Sequence, residues 1–220
     1  MVRAVLWDMD GTLLDSEPAH AASFADALAE LRLSVPPGFH DGLLGLGVDH
    51  VYAALVATTG ATLSIDEWQA LKWRHFQRRS DVVTVRGEVA AQARELAAQG
   101  VRMAVVSNST AAEVALCLSA TGLAPLFGVT VSRADVERGK PAPDSYLLAA
   151  ARLAVQPADC LVVEDSPVGA KAGLSAGMAV IYHPQHPAAP DRVPAGARYV
   201  APTASLAPHL QSFLTREAMP

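Results

Sequence analysis

The sequence predicts an α/β protein: a doubly wound, mainly parallel, Rossmann-like sheet that carries an inserted helical bundle. Three observations predict it. Short, continuously apolar runs alternate with longer amphipathic stretches, as in parallel strands buried on both faces and joined by crossover helices. One segment, residues 16–81, breaks the alternation and shows helical patterns only. Three of the apolar runs end abruptly in polar residues suited to phosphate chemistry.

The elements are taken in chain order. Ala4–Trp7 is the first strand run. Ser16 to Pro18 opens a helix through Leu33, and Pro36-Pro37-Gly38 interrupts the helical pattern. A second helix runs from about Val48 to Thr59 and stops at Gly60. Ser64-x-x-Glu67 is a capping box that opens a third, ending near Arg79. Trp68 and Trp73 read as the core of this small bundle. Arg78-Arg79 reads as its solvated end. The alternation then resumes. Glu88 to Gln99 is a helix stopped by Gly100, followed by the run Met103–Val106. Thr110-x-x-Glu113 caps a helix that ends at Gly122. The run Leu161–Val163 leads to Ser166-Pro167, an N-cap with proline at the first helical position, and Gly177 closes that helix before the run Met178–Tyr182. The expected organisation is an α/β core from residues 1–15 and 82–220, with a helical insertion at 16–81.

The chain has 220 residues, 51% of them hydrophobic and 18% charged, with a formal net charge of −5. A mildly acidic protein has no general field for nucleic acid or anionic membranes, so an anionic ligand must be small and captured locally. No apolar stretch approaches the roughly 20 residues of a membrane span. Asp8 and Asp10 come too early for a secretory signal. Cys117 and Cys160 have no metal-like spacing and are expected as reduced, buried thiols. A cytoplasmic location and a monomer are expected, with a dimer as the alternative.

The chemistry lies where strands end. Ala4–Trp7 ends in Asp8-Met9-Asp10-Gly11-Thr12, Met103–Val106 in Ser107-Asn108-Ser109, and Leu161–Val163 in Glu164-Asp165-Ser166. Ligands of open parallel sheets sit in the crevice beyond the carboxyl ends of the strands, so the three clusters should converge. Four carboxylates in one crevice need a cation, and hard oxygen donors suit Mg²⁺ rather than zinc. Ser107-Asn108-Ser109 precedes a helix and supplies donors for an anion. Lys140, in Gly139-Lys140-Pro141-Ala142-Pro143-Asp144, adds a positive charge. Taken singly, Asp-x-Asp-Gly-Thr could be a turn and Glu164-Asp165-Ser166 a helix N-terminus. A calcium loop fails on spacing, because the fifth-position ligand and terminal Glu are missing. Together they point to phosphoryl transfer.

At this point the residues are recognisable. Asp8 to Glu17 resembles the first signature of the haloacid dehalogenase superfamily. Ser107-Asn108-Ser109, Gly139 to Asp144 and Val163 to Gly169 resemble its other three, in order. The helical insertion is similar to the small cap of the subgroup that holds β-phosphoglucomutase and the sugar-phosphate phosphatases. The resemblance implies that Asp8 attacks phosphorus and forms an aspartyl-phosphate. It implies that Asp10 protonates the leaving alcohol and then activates water. It gives Mg²⁺ the carboxylates of Asp8 and Asp165 and the backbone carbonyl of Asp10, with Glu164 supporting directly or through water. Ser107, Asn108 and Lys140 would hold the phosphoryl oxygens. Cap closure would hinge near residues 14–17 and 80–87, where Arg86 stands at a position that is commonly proline in relatives.

The expected activity is hydrolysis of a small phosphomonoester, a sugar phosphate. Asp10 argues against dehalogenation, since the dehalogenases of the superfamily lack it. The rival is phosphoryl transfer between sugar positions. The mutase carries a lysine and an arginine in a cap loop that aligns with Leu44-Gly45-Leu46-Gly47, and here those positions are Leu44 and Val48. A non-catalytic binding module is the third reading, which the complete set of site residues disfavours. His20, one turn after Ser16, is a candidate substrate contact or a surface histidine. His183-x-x-His186 reads as a plain loop, because its prolines forbid the helix a zinc pair would use.

Overall fold

The computed structural model describes residues 3–43, 48–189 and 192–215. The chain divides into two compact units, Met1–Asp15 with Thr84–Pro220, and Ser16–Val83.

The first unit is a six-stranded parallel sheet flanked by helices. Its strands are β1 (Ala4–Trp7), β4 (Arg102–Val106), β5 (Val129–Val131), β6 (Cys160–Glu164), β7 (Ala179–Tyr182) and β8 (Arg198–Tyr199), in the order β5-β4-β1-β6-β7-β8. Every adjacent pair is parallel. β1 is central: Trp7 aligns with Val105 of β4 and with Val163 of β6. The residues that follow the aligned positions therefore leave the sheet at the same edge: Asp8 directly after Trp7, Glu164 directly after Val163, and Ser107 one residue further on, after Val106. β1 and β6 are buried along their whole length, which explains why both read as unbroken apolar runs. The pleat sends Leu6, Ala104, Val106, Val131, Val162 and Val180 to one face, where they pack with Tyr146.

The helices of this unit are α4 (Gly87–Ala98), α5 (Ala111–Ala120), α6 (Asp144–Arg152), α7 (Pro167–Ser175) and α8 (Ala207–Leu214). The starts of α5 and α7 follow the capping chemistry read from sequence. Thr110 accepts from the Glu113 amide and Ser166 from the Gly169 amide, with proline opening α7. A two-stranded antiparallel ribbon also belongs to this unit. It joins β2 (Leu14–Asp15) to β3 (Thr84–Val85) and closes the entry and exit of the intervening segment.

The second unit holds α1 (Glu17–Leu31), α2 (Val48–Thr59) and α3 (Ile65–Gln77). The first helix stops before Leu33 because Arg32 adopts a left-handed conformation, φ 56°, that ends the turn. The full capping box of Ser64 and Glu67 starts α3. Phe24, Ala27, Leu28, Leu55, Trp68 and Leu71 form the core. Trp68 is fully buried at its centre. Trp73 is half-buried, stacked on Phe76. Arg79 is paired at 2.7 Å with Asp26. Val48 is exposed at the start of α2, whereas Leu44 to Gly47 lie outside the described residues.

Candidate active site

The strand ends assemble a cluster of charges around Lys140. Its ammonium donates to Asp8 Oδ1 at 2.6 Å, Glu164 Oε1 at 2.6 Å and the Val106 carbonyl at 2.8 Å. All three donors are used, and one residue ties the ends of β1, β4 and β6. The loop that delivers it is held by Asn108. That amide accepts from the Lys140 backbone N–H at 3.0 Å and donates to the Lys140 carbonyl at 3.2 Å. The Lys140–Pro141 peptide is cis.

Glu164 is fully buried and fully engaged. Oε1 also accepts from the Tyr146 hydroxyl at 2.7 Å, and Oε2 accepts from the Ser166 hydroxyl at 3.0 Å. Gly169 is what makes room for it. A Cβ at that position would overlap the Glu164 carboxylate. Asp165 rests against Gly11, whose φ of +82° and missing side chain let the turn approach the carboxylate. Thr12 Oγ1 donates to Asp165 Oδ1 at 3.3 Å. Asp10 Oδ2 accepts from Ser109 Oγ at 2.9 Å and from Ser107 Oγ at 3.3 Å.

Buried Asp8 and Glu164 and half-buried Asp165 face one ammonium, and burial first, then mutual repulsion, raises the pKa values of Asp8 and Asp165. Burial, then Glu164, push Asp8 well above the ordinary carboxylate range, and Lys140 only partly offsets them. Burial and Glu164 likewise push Asp165 up to about 7. For Lys140, burial alone would favour the neutral amine, but Asp8 and Glu164 carry its pKa upward instead. Without a further cation, burial and the surplus of carboxylates thus both favour the protonated forms of Asp8 and Asp165.

The donor set fits a hard divalent cation. One oxygen each from Asp8, Glu164 and Asp165 lies within 4.8 Å of the others. Asp8 Oδ2 is buried and has no hydrogen-bond partner, a costly state for an acceptor unless something else binds it. Because both Glu164 oxygens are already satisfied, Asp8 and Asp165 are the better direct donors.

The residues picked out by sequence at the strand ends, Asp8, Asp10, Ser107, Asn108, Lys140, Glu164 and Asp165, are thus brought together in the α/β unit. His20 belongs to the helical unit, where its ring stacks on Phe76 at 4.7 Å and its Nδ1 lies 3.4 Å from Lys72 Nζ. His183 is buried, with Nδ1 3.2 Å from the Val200 carbonyl, and His186 is exposed, so the two form a loop without paired character. Both cysteines are buried free thiols, and burial raises their pKa values. Tyr146 is a site residue that motif reading passes over, and Gly169, though it ends the fourth motif, is given no role there. Nothing at the level of residue type marks Tyr146, whereas Gly169 carries a signal in standing where α7 would favour a larger residue. No helix of the described residues is long and apolar enough to cross a membrane.

A strand-end aspartate, a buried lysine and a carboxylate pair at the edge of a parallel sheet fit a hydrolase of the phosphoryl-transfer kind, and sequence comparison agrees. The profile of the haloacid dehalogenase-like hydrolases matches residues 2–177, and the chain belongs to that family. Within it the chain is an enzyme of the phosphatase class. Fructose-1-phosphate phosphatase YqaB of Escherichia coli is 30% identical over 182 residues, which cover 79% of this chain and 92% of that protein. Hexitol phosphatase A of the same organism is 31% identical over 183 residues, covering 81% and 82%. A hydrolase of the family from Deinococcus radiodurans, solved with bound phosphate and sodium, superposes with a TM-score of 0.72 at 31% identity, covering 98% of this chain and 99% of that one.

Proposed function

We propose that this protein hydrolyses the phosphomonoester of a small metabolite, a sugar phosphate, through an aspartyl-phosphate on Asp8 and with Mg²⁺ as cofactor. The observation that carries the reading is the Asp8–Lys140–Glu164 contact set beside Asp165, with one Asp8 oxygen left uncommitted. Similarity to phosphatases named for fructose 1-phosphate and hexitols supports the substrate class.

Asp8 and Asp165 would hold Mg²⁺, with the Asp10 carbonyl as a further donor. When bound, the ion supplies positive charge that offsets repulsion between a carboxylate and a phosphate dianion. The chain's own residues do the rest. Lys140 holds Asp8 Oδ1 and keeps the nucleophile oriented. An Asp8 oxygen forms a bond to phosphorus as the ester P–O bond breaks. Asp10 gives its proton to the departing alcohol oxygen. Asp10 then takes a proton from water as that water attacks phosphorus and frees Asp8. Ser107 and Ser109 both donate to Asp10 Oδ2 and so hold its carboxyl group in place beside Asp8. Ser107, Asn108 and Lys140 are the proposed phosphoryl contacts; the Ser107 hydroxyl and the Lys140 ammonium, which donate within the site in the substrate-free chain, would turn a proton toward the phosphoryl oxygens when it binds.

The test is release of inorganic phosphate from a panel of sugar phosphates, including fructose 1-phosphate and glucose 1-phosphate, with Mg²⁺ and with a chelator. Release that stops with chelator and returns with Mg²⁺ is expected. Sugar interconversion that needs a bisphosphate activator and frees no phosphate would replace hydrolysis with transfer. Release indifferent to chelator would remove Mg²⁺ from the reading.

A further inference from the structure

Arg86, at the entrance to α4, joins three segments of the α/β unit. Its Nη1 donates to the Gly11 carbonyl at 2.5 Å and to the His183 carbonyl at 3.2 Å. Its backbone N–H donates to the Leu13 carbonyl at 2.9 Å, and its carbonyl accepts from the Ala90 amide in the first turn of α4. The side chain is half-buried. None of the proposed phosphoryl-transfer steps uses it.

What it grips is the frame of the carboxylate cluster. The Gly11 carbonyl belongs to the turn from Asp10 to Leu14, which Gly11 N–H closes onto the Leu14 carbonyl at 2.8 Å. That turn is the wall against which the Asp165 carboxylate rests, since a Cβ on Gly11 would overlap it. Thr12, in the same turn, donates to Asp165. The second carbonyl belongs to His183, whose N–H donates at 2.7 Å to the Glu164 carbonyl, on the strand that delivers Glu164 and Asp165. Arg86 therefore holds both sides of the Asp165 backbone environment with one planar group.

We infer that Arg86 is a positioning residue: by bridging the Gly11 and His183 carbonyls it fixes the Asp10–Leu14 turn against the Asp165 carboxylate, and so strengthens cation binding by Asp8 and Asp165. The inference rests on the proposed metal-assisted hydrolysis. Two effects of the guanidinium oppose each other. Its charge, which lies near enough to Asp165 to stabilise the ionised carboxylate, also repels a bound dication. Its hydrogen bonds orient the carboxylate that the dication needs. The half-buried charge is spent on two carbonyls and screened by solvent, which weakens the repulsion. Residues that orient metal ligands, by contrast, change metal affinity by about 10- to 100-fold when replaced. Orientation wins. Both bonds come from the one Nη1, at the end of a side chain longer than that of lysine, so an ammonium on a lysine at position 86 would fall short of the bridge.

The experiment uses the full chain as wild type, Arg86→Lys and Arg86→Gln. Mg²⁺ is titrated calorimetrically into metal-stripped protein, and the Mg²⁺ concentration for half-maximal phosphate release is measured alongside. Both variants are expected to bind Mg²⁺ about tenfold or more weakly than wild type, with a matching rise in the Mg²⁺ requirement. Unchanged or tighter Mg²⁺ binding in either variant overturns the inference, even if that variant melts at a lower temperature. A residue with only a structural role would lower the melting temperature and leave the affinity alone. Arg86→Lys keeps the charge, so the inference stays testable if Arg86→Gln fails to fold. Wild-type protein that hydrolyses phosphate esters but binds no Mg²⁺ sinks the metal-assisted reading itself, before any variant is compared.

Discussion

The ammonium of Lys140 lies 2.6 Å from Oδ1 of Asp8, and both groups are buried. Asp8 and Glu164 keep Lys140 charged there, and Lys140 offsets part of the burial and repulsion that raise the pKa of Asp8. Replacing Lys140 with Met would strand Asp8 and Glu164 without a counter-charge. Breaking a buried pair from one side costs about 3–5 kcal/mol. Metal-free Lys140→Met protein should therefore lose about 3 kcal/mol in urea unfolding at neutral pH. An unchanged midpoint would show that the pair does not hold the site together.

Asp8→Asn should separate chemistry from folding. The amide keeps the shape and removes one of the crowded negative charges. Phosphate release should fall by at least about a thousandfold, as expected when a nucleophile is lost. The metal-free variant should melt no lower than wild type, because burial and Glu164 already disfavour the charged form of Asp8. Turnover near wild type would rule Asp8 out as nucleophile.

The raised pKa of Asp165 sets a pH dependence whose sign can be worked out. In the folded, metal-free chain this carboxyl titrates at about 7, against 3.8 for an ordinary aspartate. Below the lower value both states are protonated and the group's contribution is fully present. As pH rises through the folded value the contribution is lost, because the folded chain must give up a proton it binds more tightly than the unfolded chain does. Metal-free protein should thus lose stability as the pH rises from about 4 to about 7. Mg²⁺ binds the ionised form, so its addition should raise the melting temperature more at the upper end of that range. A larger rise at the acid end would contradict the assignment.

Gly169→Ala tests the packing beneath Glu164. The added methyl would overlap the carboxylate that receives Lys140 and Tyr146. Overpacking typically costs about 1–3 kcal/mol, and here it also displaces a charged partner. A loss near the top of that range is expected, with activity falling further than stability alone would explain. A stable, active variant would mean that Glu164 can move without consequence.

Much of the site was legible because parallel strands write it at their ends. Asp8, Ser107 and Glu164 each follow an apolar run, and aligned strands must deliver them to one edge. The capping box at Ser64 and the glycine stops were legible for the same reason, since local hydrogen bonding decides them. What escaped was short or depended on reach. β5 and β8 span too few residues for any period to show. The β2–β3 ribbon pairs Leu14 with Val85 across the whole helical unit, and neither two-residue strand has a pattern. Lys140 could be read as a cation near the site. That its donors go to Asp8, Glu164 and Val106 depends on how Asn108 holds the loop, which spacing does not encode. Arg86 read as a substitution in a hinge, and its grip on Gly11 depends on a turn folded from another part of the chain.

The central place of β1 has a consequence for how the protein is made. Asp8 and its lysine are 132 residues apart, and Thr12 and Asp165 are separated by 153. At synthesis rates of about 5–20 residues per second, β1 leaves the ribosome on the order of ten seconds before β6 can pair with it. During that interval an apolar strand has at least one open edge and is a target for wrong pairing. The helical unit, whose partners such as Asp26 and Arg79 are 53 apart, can fold within the same wait. The cluster around Lys140 is thus withheld until most of the polypeptide has emerged, so a stalled nascent chain carries Asp8 without the lysine and carboxylates that complete it.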